Sequence, residues 1–121
     1  METKTILVSG LSNRDFLERH AGAGRVGLCG GAAHVDIAIR RAQRHLDGDG
    51  QWSNWSHAFL FQGLRADGRH WVMESDLQFH RKHIQLGAQE NRIEKYFDEK
   101  MFPALAVLDF ALTETQVAAL L

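Results

Sequence analysis

The order of hydrophobic and polar positions divides the chain into short segments of two kinds. Segments whose apolar residues recur every three or four positions predict amphipathic helices, and short segments that are apolar throughout predict buried strands. The helical spacing is clearest over residues 32–46, AAHVDIAIRRAQRHL, where the arginines fall on other faces than the apolar side chains. The apolar positions of this segment are Val35, Ala38, Ile39, Ala42 and Leu46. We therefore predict an amphipathic helix here.

The other predicted elements are shorter. Strands are predicted at residues 5–9, 56–64, 69–75 and 104–112, and helices at 12–20, at 88–100 and from Thr113 onward. Two of these helices carry start signals, because Ser12 with Asp15 favours a cap and Thr113 with Gln116 forms a capping box. A chain of 121 residues has the size of one domain. These elements predict a single α+β domain over residues 1–121, a small and mainly antiparallel sheet with helices packed on it, among them the arginine-containing helix.

The last predicted helix is short and ends on apolar residues. Val117, Leu120 and Leu121 begin an apolar stripe that is interrupted where the sequence stops. We therefore expect the domain to be truncated at its C-terminus. If the domain is cut short there, this uncovered stripe would favour self-association as an artefact of the truncation, so a homo-oligomer is expected of the shortened form only.

The register of the hairpin between the second and third predicted strands decides which side chains share a face. If RADG (65–68) is a four-residue loop that pairs Leu64 with Arg69, then His57 and Glu74 lie on the same face. A loop of three or five residues would place Glu74 on the opposite face. The interpretation of a shared face therefore depends on this loop.

His57 and Glu74 are the candidate catalytic residues. A carboxylate that accepts a hydrogen bond from one imidazole nitrogen fixes the tautomer and leaves the other nitrogen free to act as a general base. A lone histidine at the edge of a strand is more often a structural hydrogen-bonding residue, and that alternative stays open.

Cys29 is the single cysteine and the candidate nucleophile within the chain. It precedes Gly30, Gly31 and the arginine-containing helix, whose N-terminus would lower the pKa of the thiol and activate it. A cysteine at the end of an apolar strand is also commonly buried and inert. One cysteine excludes an internal disulfide and a cysteine-rich zinc site.

Two short motifs carry a family resemblance. WSHAFLF followed by WVMESD resembles the histidine strand and the next polar-residue strand of the papain-like NlpC superfamily. RVGLCGG and the helix AIRRAQR, placed ahead of them, are similar to the circularly permuted YiiX/YaeF-like branch, which is related to lecithin retinol acyltransferase. The resemblance covers roughly residues 24–76.

The resemblance implies a permuted papain-like fold and a thiol-dependent hydrolase or acyltransferase, of the cysteine peptidase or amidase kind, with no cofactor. The implied substrates are peptidoglycan-type peptides or lipid acyl groups. The permuted chain order is histidine, polar residue, cysteine, so it implies that His57 is the general base, that Glu74 orients it, and that the nucleophilic cysteine opens a helix beyond Leu121. Cys29 does not match that position. The alternative is a non-catalytic ligand-binding or assembly module that keeps the fold.

Two tryptophans flank the loop before the histidine strand. Trp52 and Trp55 are candidates for lining a substrate groove, because an indole ring offers a large apolar surface with one polar atom. As aromatic caps of the core they need no function, and both interpretations stay open.

A metal site is the weakest of the chemical hypotheses. His80 and His83 lie three residues apart, and His70 or Asp76 would be the third ligand of a metal ion. A polar stretch of this kind is far more often a solvated surface, so we predict no metal.

Composition and charge exclude several classes of binding partner. The chain carries 14 basic and 15 acidic residues, and its net charge of −1 gives no attraction to nucleic acid or anionic lipid. No segment approaches the ~20 apolar residues of a membrane helix, and the apolar run near the start is too short for a secretion signal. We therefore expect a cytoplasmic protein that acts on a peptide or an acyl-bearing small molecule, with no nucleic acid and no membrane-spanning segment.

Overall fold

The structure is a computed structural model that describes residues 3–46, 50–51, 53–80 and 83–121. Its helices are α1 (Asn13–His20), α2 (His34–Ala42) and α3 (Glu114–Leu120), and its strands are β1 (Val26–Gly30), β2 (His57–Leu64), β3 (His70–His80), β4 (His83–Arg92) and β5 (Ala104–Leu108). Short 3₁₀ turns follow α2 at Gln43–Leu46 and β4 at Ile93–Tyr96. The strands form one antiparallel sheet in the order β4-β3-β2-β1-β5. The described residues therefore confirm the α+β class with a small antiparallel sheet.

The predicted caps form at the helices where the sequence places them. Ser12 Oγ accepts a hydrogen bond from the backbone N–H of Asp15 at 3.1 Å at the start of α1. At α3, Thr113 Oγ1 accepts from the backbone N–H of Gln116 at 3.2 Å, and Gln116 Oε1 accepts from the backbone N–H of Thr113 at 2.9 Å. Within the described ranges, no helix has the length and apolar character that crossing a membrane requires.

The arginine-containing helix is present but does not cover the core. We expected it to pack on the sheet, yet α2 has no buried residue, and Val35 is 47% exposed. Polar contacts hold it instead: Asp36 Oδ1 accepts from Ser56 Oγ at 2.7 Å, and Arg40 Nε donates to the carbonyl oxygen of Ser53 at 3.1 Å. The helix that contributes to the core is α1, through the fully buried Leu17.

Two strand predictions need correction. Residues 5–9 do not form a strand: they have no regular secondary structure, and Leu7 is 95% exposed, because strand propensity without a neighbouring strand forms no ladder. The strand predicted at 104–112 ends at Leu108. There Asp109 Oδ1 accepts from the backbone N–H of Ala111 at 2.9 Å, and Ala111 has a positive φ of 53°, so the chain turns away.

The helix predicted at 88–100 is wrong. Residues 88–92 belong to β4 and pair with residues 71–75 of β3, so the backbone hydrogen bonds of this segment go to the neighbouring strand. A single 3₁₀ turn follows, in which Ile93 is buried, while Met101 at the far end of the expected apolar stripe is exposed. Cross-strand pairing with the long β3 therefore overrides a helical spacing of apolar residues.

In the β2–β3 hairpin, His57 and Glu74 share a face as predicted, but the loop does not have the predicted four residues. Leu64 pairs with His70, so the loop has five residues, and this loop alone would turn Glu74 away from His57. A β-bulge between Phe61 and Gly63 adds one residue to β2, because beyond it Phe61 pairs with Val72. The bulge reverses the parity change made by the loop. Glu74 consequently returns to the face of His57.

The core lies between one sheet face, α1 and the Ile93–Tyr96 turn. Its buried hydrophobic residues among those described are Leu17, Ala21, Cys29, Phe59, Phe61, Val72, Ile93 and Tyr96. Phe59 stacks on Tyr96 with ring centroids 4.3 Å apart and packs edge-on against Phe61. Glu74, on the same face, is the buried charged residue of this part of the chain. The core face of the sheet therefore carries a buried carboxylate among aromatic side chains.

We expect Gly27→Ala to lower the free energy of unfolding by about 1–3 kcal/mol, measured by urea denaturation. A Cβ at Gly27 would lie 2.2 Å from Cε2 of the buried Phe59 ring, so that ring would have to move. In a Phe59→Leu background the six-membered ring is absent and the same substitution should cost less. Equal costs in the two backgrounds would contradict this packing.

Candidate functional site

His57 and Glu74 meet on the core face of the sheet. His57 is the first residue of β2, and Glu74 lies in the middle of β3. His57 Nε2 is 3.7 Å from Glu74 Oε1, which is too long for a hydrogen bond but close for an electrostatic interaction. The histidine side chain is 20% exposed and the glutamate side chain is fully buried. The imidazole thus reaches the surface while its neighbouring carboxylate stays inside.

Lys95 and Tyr96 hold the buried carboxylate. Lys95 Nζ donates to Glu74 Oε1 in a short contact, and Tyr96 Oη donates to Glu74 Oε2 at 2.7 Å. Both residues lie in the 3₁₀ turn after β4. Sequence reasoning missed them because it assigned this segment to a helix. The one available signal was physical: a carboxylate in an apolar strand needs donors, and a lysine with a tyrosine are suitable ones.

Glu74 is ionised at neutral pH. Burial is the largest single influence and by itself would raise the pKa of this carboxyl group, but the interactions with His57, Lys95 and Tyr96 together outweigh it. They lower the pKa from its ordinary value of 4.5 to about 2. His57 therefore faces a permanent negative charge.

The geometry distinguishes the two nitrogens of His57. Nε2 faces Glu74, and it is a buried atom without a hydrogen-bond partner among the described residues. An ionised carboxylate only accepts hydrogen bonds, so it favours the tautomer that carries the proton on Nε2. In that tautomer Nδ1 is the nitrogen that accepts a proton. The arrangement is chemically suited to a general base.

Cys29 lies beside His57 but not at a helix terminus. The two residues are paired across β1 and β2, so their side chains lie on the same face. Cys29 is fully buried inside β1, and the cap of α2 is Ala33. Cys29 therefore lies in the strand that precedes α2 and not in the first turn of that helix. The Cys29 side chain is close to the imidazole of His57, but its burial leaves it inaccessible to a substrate.

Ser56 fixes the entry of the chain into β2. Its hydroxyl donates to Asp36 Oδ1 at 2.7 Å and accepts from the backbone N–H of Gly31 at 3.0 Å. Its backbone N–H donates to the carbonyl oxygen of Cys29 at 2.9 Å. These contacts join α2, the end of β1 and the start of β2, and they hold the backbone next to His57 in place.

Of the two candidate groove residues, the structure describes Trp55. Trp55 is half-buried, and its backbone N–H donates to Ser53 Oγ at 3.0 Å. Trp52 lies outside the described residues. A role for these two residues in a substrate groove stays a prediction.

The metal hypothesis gains no support where it can be examined. No group of three histidine, cysteine, aspartate or glutamate side chains suited to a metal ion occurs among the described residues. His80, His83 and Asp76 are strand residues of β3 and β4, and their side chains are outside what the structure describes.

Comparison with known proteins assigns no family. No protein-family model, no curated protein and no solved structure matches this chain. The functional interpretation therefore depends on the geometry of the His57–Glu74 pair and on the motif resemblance.

We expect Glu74→Gln to lower the free energy of unfolding at neutral pH by about 3 kcal/mol. The folded-state pKa of about 2 lies below the ordinary 4.5, so the stabilisation is fully present above pH 4.5 and is lost as the pH falls toward 2. Urea denaturation of wild type and variant should show a difference that narrows through this range. The matched control is Glu114→Gln at an exposed position, and a Glu74→Gln difference that stays constant with pH would contradict the assignment.

We expect iodoacetamide to alkylate Cys29 at least about 100-fold more slowly in the folded protein than in urea, because the thiol is fully buried. Intact-mass spectrometry measures both rates. Rapid labelling near neutral pH that disappears in His57→Ala would contradict this expectation and would identify Cys29 and His57 as an active pair.

Proposed function

We propose that this chain carries the general base and its orienting carboxylate for a thiol-dependent hydrolase or acyltransferase that acts on amide or ester bonds. The single observation that supports the proposal is the placement of His57 Nε2 3.7 Å from the buried Glu74 carboxylate. The low pKa of Glu74 keeps that carboxylate charged. An imidazole held in this way is partly exposed and retains Nδ1 as a proton acceptor.

His57 would begin the reaction by taking the proton of a cysteine thiol at Nδ1. The thiolate would then attack the substrate carbonyl carbon, and the tetrahedral intermediate would collapse as the imidazolium returns the proton to the leaving amine or alcohol. The product of this half-reaction is an acyl-enzyme thioester. Water or an acceptor hydroxyl or amine, deprotonated by the same imidazole, would release the acyl group.

The thiol in this proposal is not Cys29. Cys29 is fully buried and precedes the histidine strand. The permuted papain-like order, which the motifs resemble, places the nucleophile after both the histidine and the polar residue, at the start of a later helix. We therefore assign the reaction to a cysteine supplied beyond Leu121, and the substrate classes that the resemblance suggests are peptidoglycan-type peptides and lipid acyl groups.

A non-catalytic binding or assembly module is the second candidate, and one observation favours it. Apolar side chains are exposed on α2 and on the sheet face opposite the core, including Val35, Ile39 and Met73. Exposed apolar surface of this kind is typical of contact with another polypeptide segment. This function needs no proton transfer by His57.

We expect His57→Ala to lower kcat/KM by about 100-fold or more in a protein that includes the nucleophile, because general acid–base catalysis contributes at least that much. Hydrolysis of p-nitrophenyl esters, with mass-spectrometric detection of the thioester, provides the measurement. The matched control is His34→Ala, which removes an exposed histidine at the start of α2. If the two variants hydrolyse the ester at the same rate, the catalytic proposal fails and the binding module is favoured.

A further inference from the structure

One carboxylate oxygen of Glu74 faces two donors. Oε1 accepts a hydrogen bond from Lys95 Nζ, and the same oxygen is 3.7 Å from His57 Nε2. The second oxygen, Oε2, accepts from Tyr96 Oη at 2.7 Å. The carboxylate is thus fixed at both oxygens by consecutive residues of one 3₁₀ turn, and the imidazole lies just outside hydrogen-bond distance.

The two groups that face Oε1 differ in how deeply they are buried. The Lys95 side chain is 29% exposed, whereas His57 Nε2 is buried and has no hydrogen-bond partner among the described residues. A buried polar atom without a partner costs free energy. The charge-assisted bond from the ammonium group is the stronger of the two. Lys95 therefore fixes the position of the carboxylate oxygen that lies nearest the imidazole.

We infer that Lys95 and Tyr96 are positioning residues of the His57–Glu74 pair. Tyr96 anchors the carboxylate through Oε2, and Lys95 holds Oε1 3.7 Å from His57 Nε2, so that the bond between Nε2 and Oε1 closes only when Lys95 no longer holds that oxygen in place. The catalytic meaning of this arrangement rests on the proposed function. The arrangement itself is a property of the hydrogen bonds and is measurable without any activity.

The test is NMR of the His57 imidazole in protein labelled with ¹⁵N-histidine, with His57→Ala to assign its signals. In wild type we expect no slowly exchanging Nε2 proton bonded to a carboxylate. In Lys95→Met, whose unbranched side chain is one atom shorter and lacks the ammonium group, the buried carboxylate needs another donor. We expect a downfield, slowly exchanging Nε2 proton to appear.

Three matched variants separate positioning from a general loss of structure. Lys95→Arg keeps the charge and should retain the wild-type spectrum. Lys95→Met combined with Glu74→Gln removes the acceptor and should lose the new proton signal. Lys95→Met combined with Tyr96→Phe removes the anchor on Oε2, and the proton should then exchange faster than in Lys95→Met alone.

The inference is overturned if the bonded Nε2 proton is already present in wild type, or if it is absent from a folded Lys95→Met protein. Should Lys95→Met fail to fold, Lys95→Leu gives the same readout, because it also removes the donor at this position. The proposed function fails separately. If the bonded proton appears in Lys95→Met while His57→Ala keeps full turnover, Lys95 is a positioning residue but His57 is not catalytic. If the bonded proton is absent from Lys95→Met while His57→Ala loses turnover, His57 is catalytic but Lys95 does not position it.

Discussion

A charged carboxylate inside an aromatic core is the constraint on which the rest of this domain depends. Glu74 is fully buried, and its ionisation there is favourable because Lys95 and Tyr96 donate to its two oxygens and His57 lies close to one of them. The 3₁₀ turn after β4 must therefore lie against β3 wherever the domain is folded. The same contacts keep the carboxylate beside His57, so stability and the candidate chemistry share one set of hydrogen bonds.

The strand pairing brings the buried carboxylate of Glu74 to the same sheet face as His57. The β2–β3 loop and the bulge between Phe61 and Gly63 each change the parity of the pairing, and together they return Glu74 to the face of His57. Ser56 then holds the start of β2 through Asp36 and the backbone of Gly31. The backbone next to His57 is consequently held from β1 and from α2, while the carboxylate is fixed from the turn after β4.

Several apolar side chains of the helices α2 and α3 and of the C-terminal residue are exposed. α2 contributes no buried residue, and Leu120 and Leu121 of the C-terminal segment are each more than half exposed. The core is formed instead by one face of the sheet with α1 and the Ile93–Tyr96 turn. The side chains with the clearest helical pattern in the sequence are thus not the ones that form the core.

The sequence by itself determined the elements whose signals are local. The caps at Ser12 and Thr113 and the helix that begins at His34 depend on side chains within one or two turns. It also singled out His57 and Glu74, because a polar residue in an apolar strand is visible in the sequence alone. Only the tertiary structure decided that residues 88–92 pair as a strand and that Lys95 and Tyr96 bind Glu74. Those outcomes depend on hydrogen bonds between residues distant in the chain, and no local spacing encodes them.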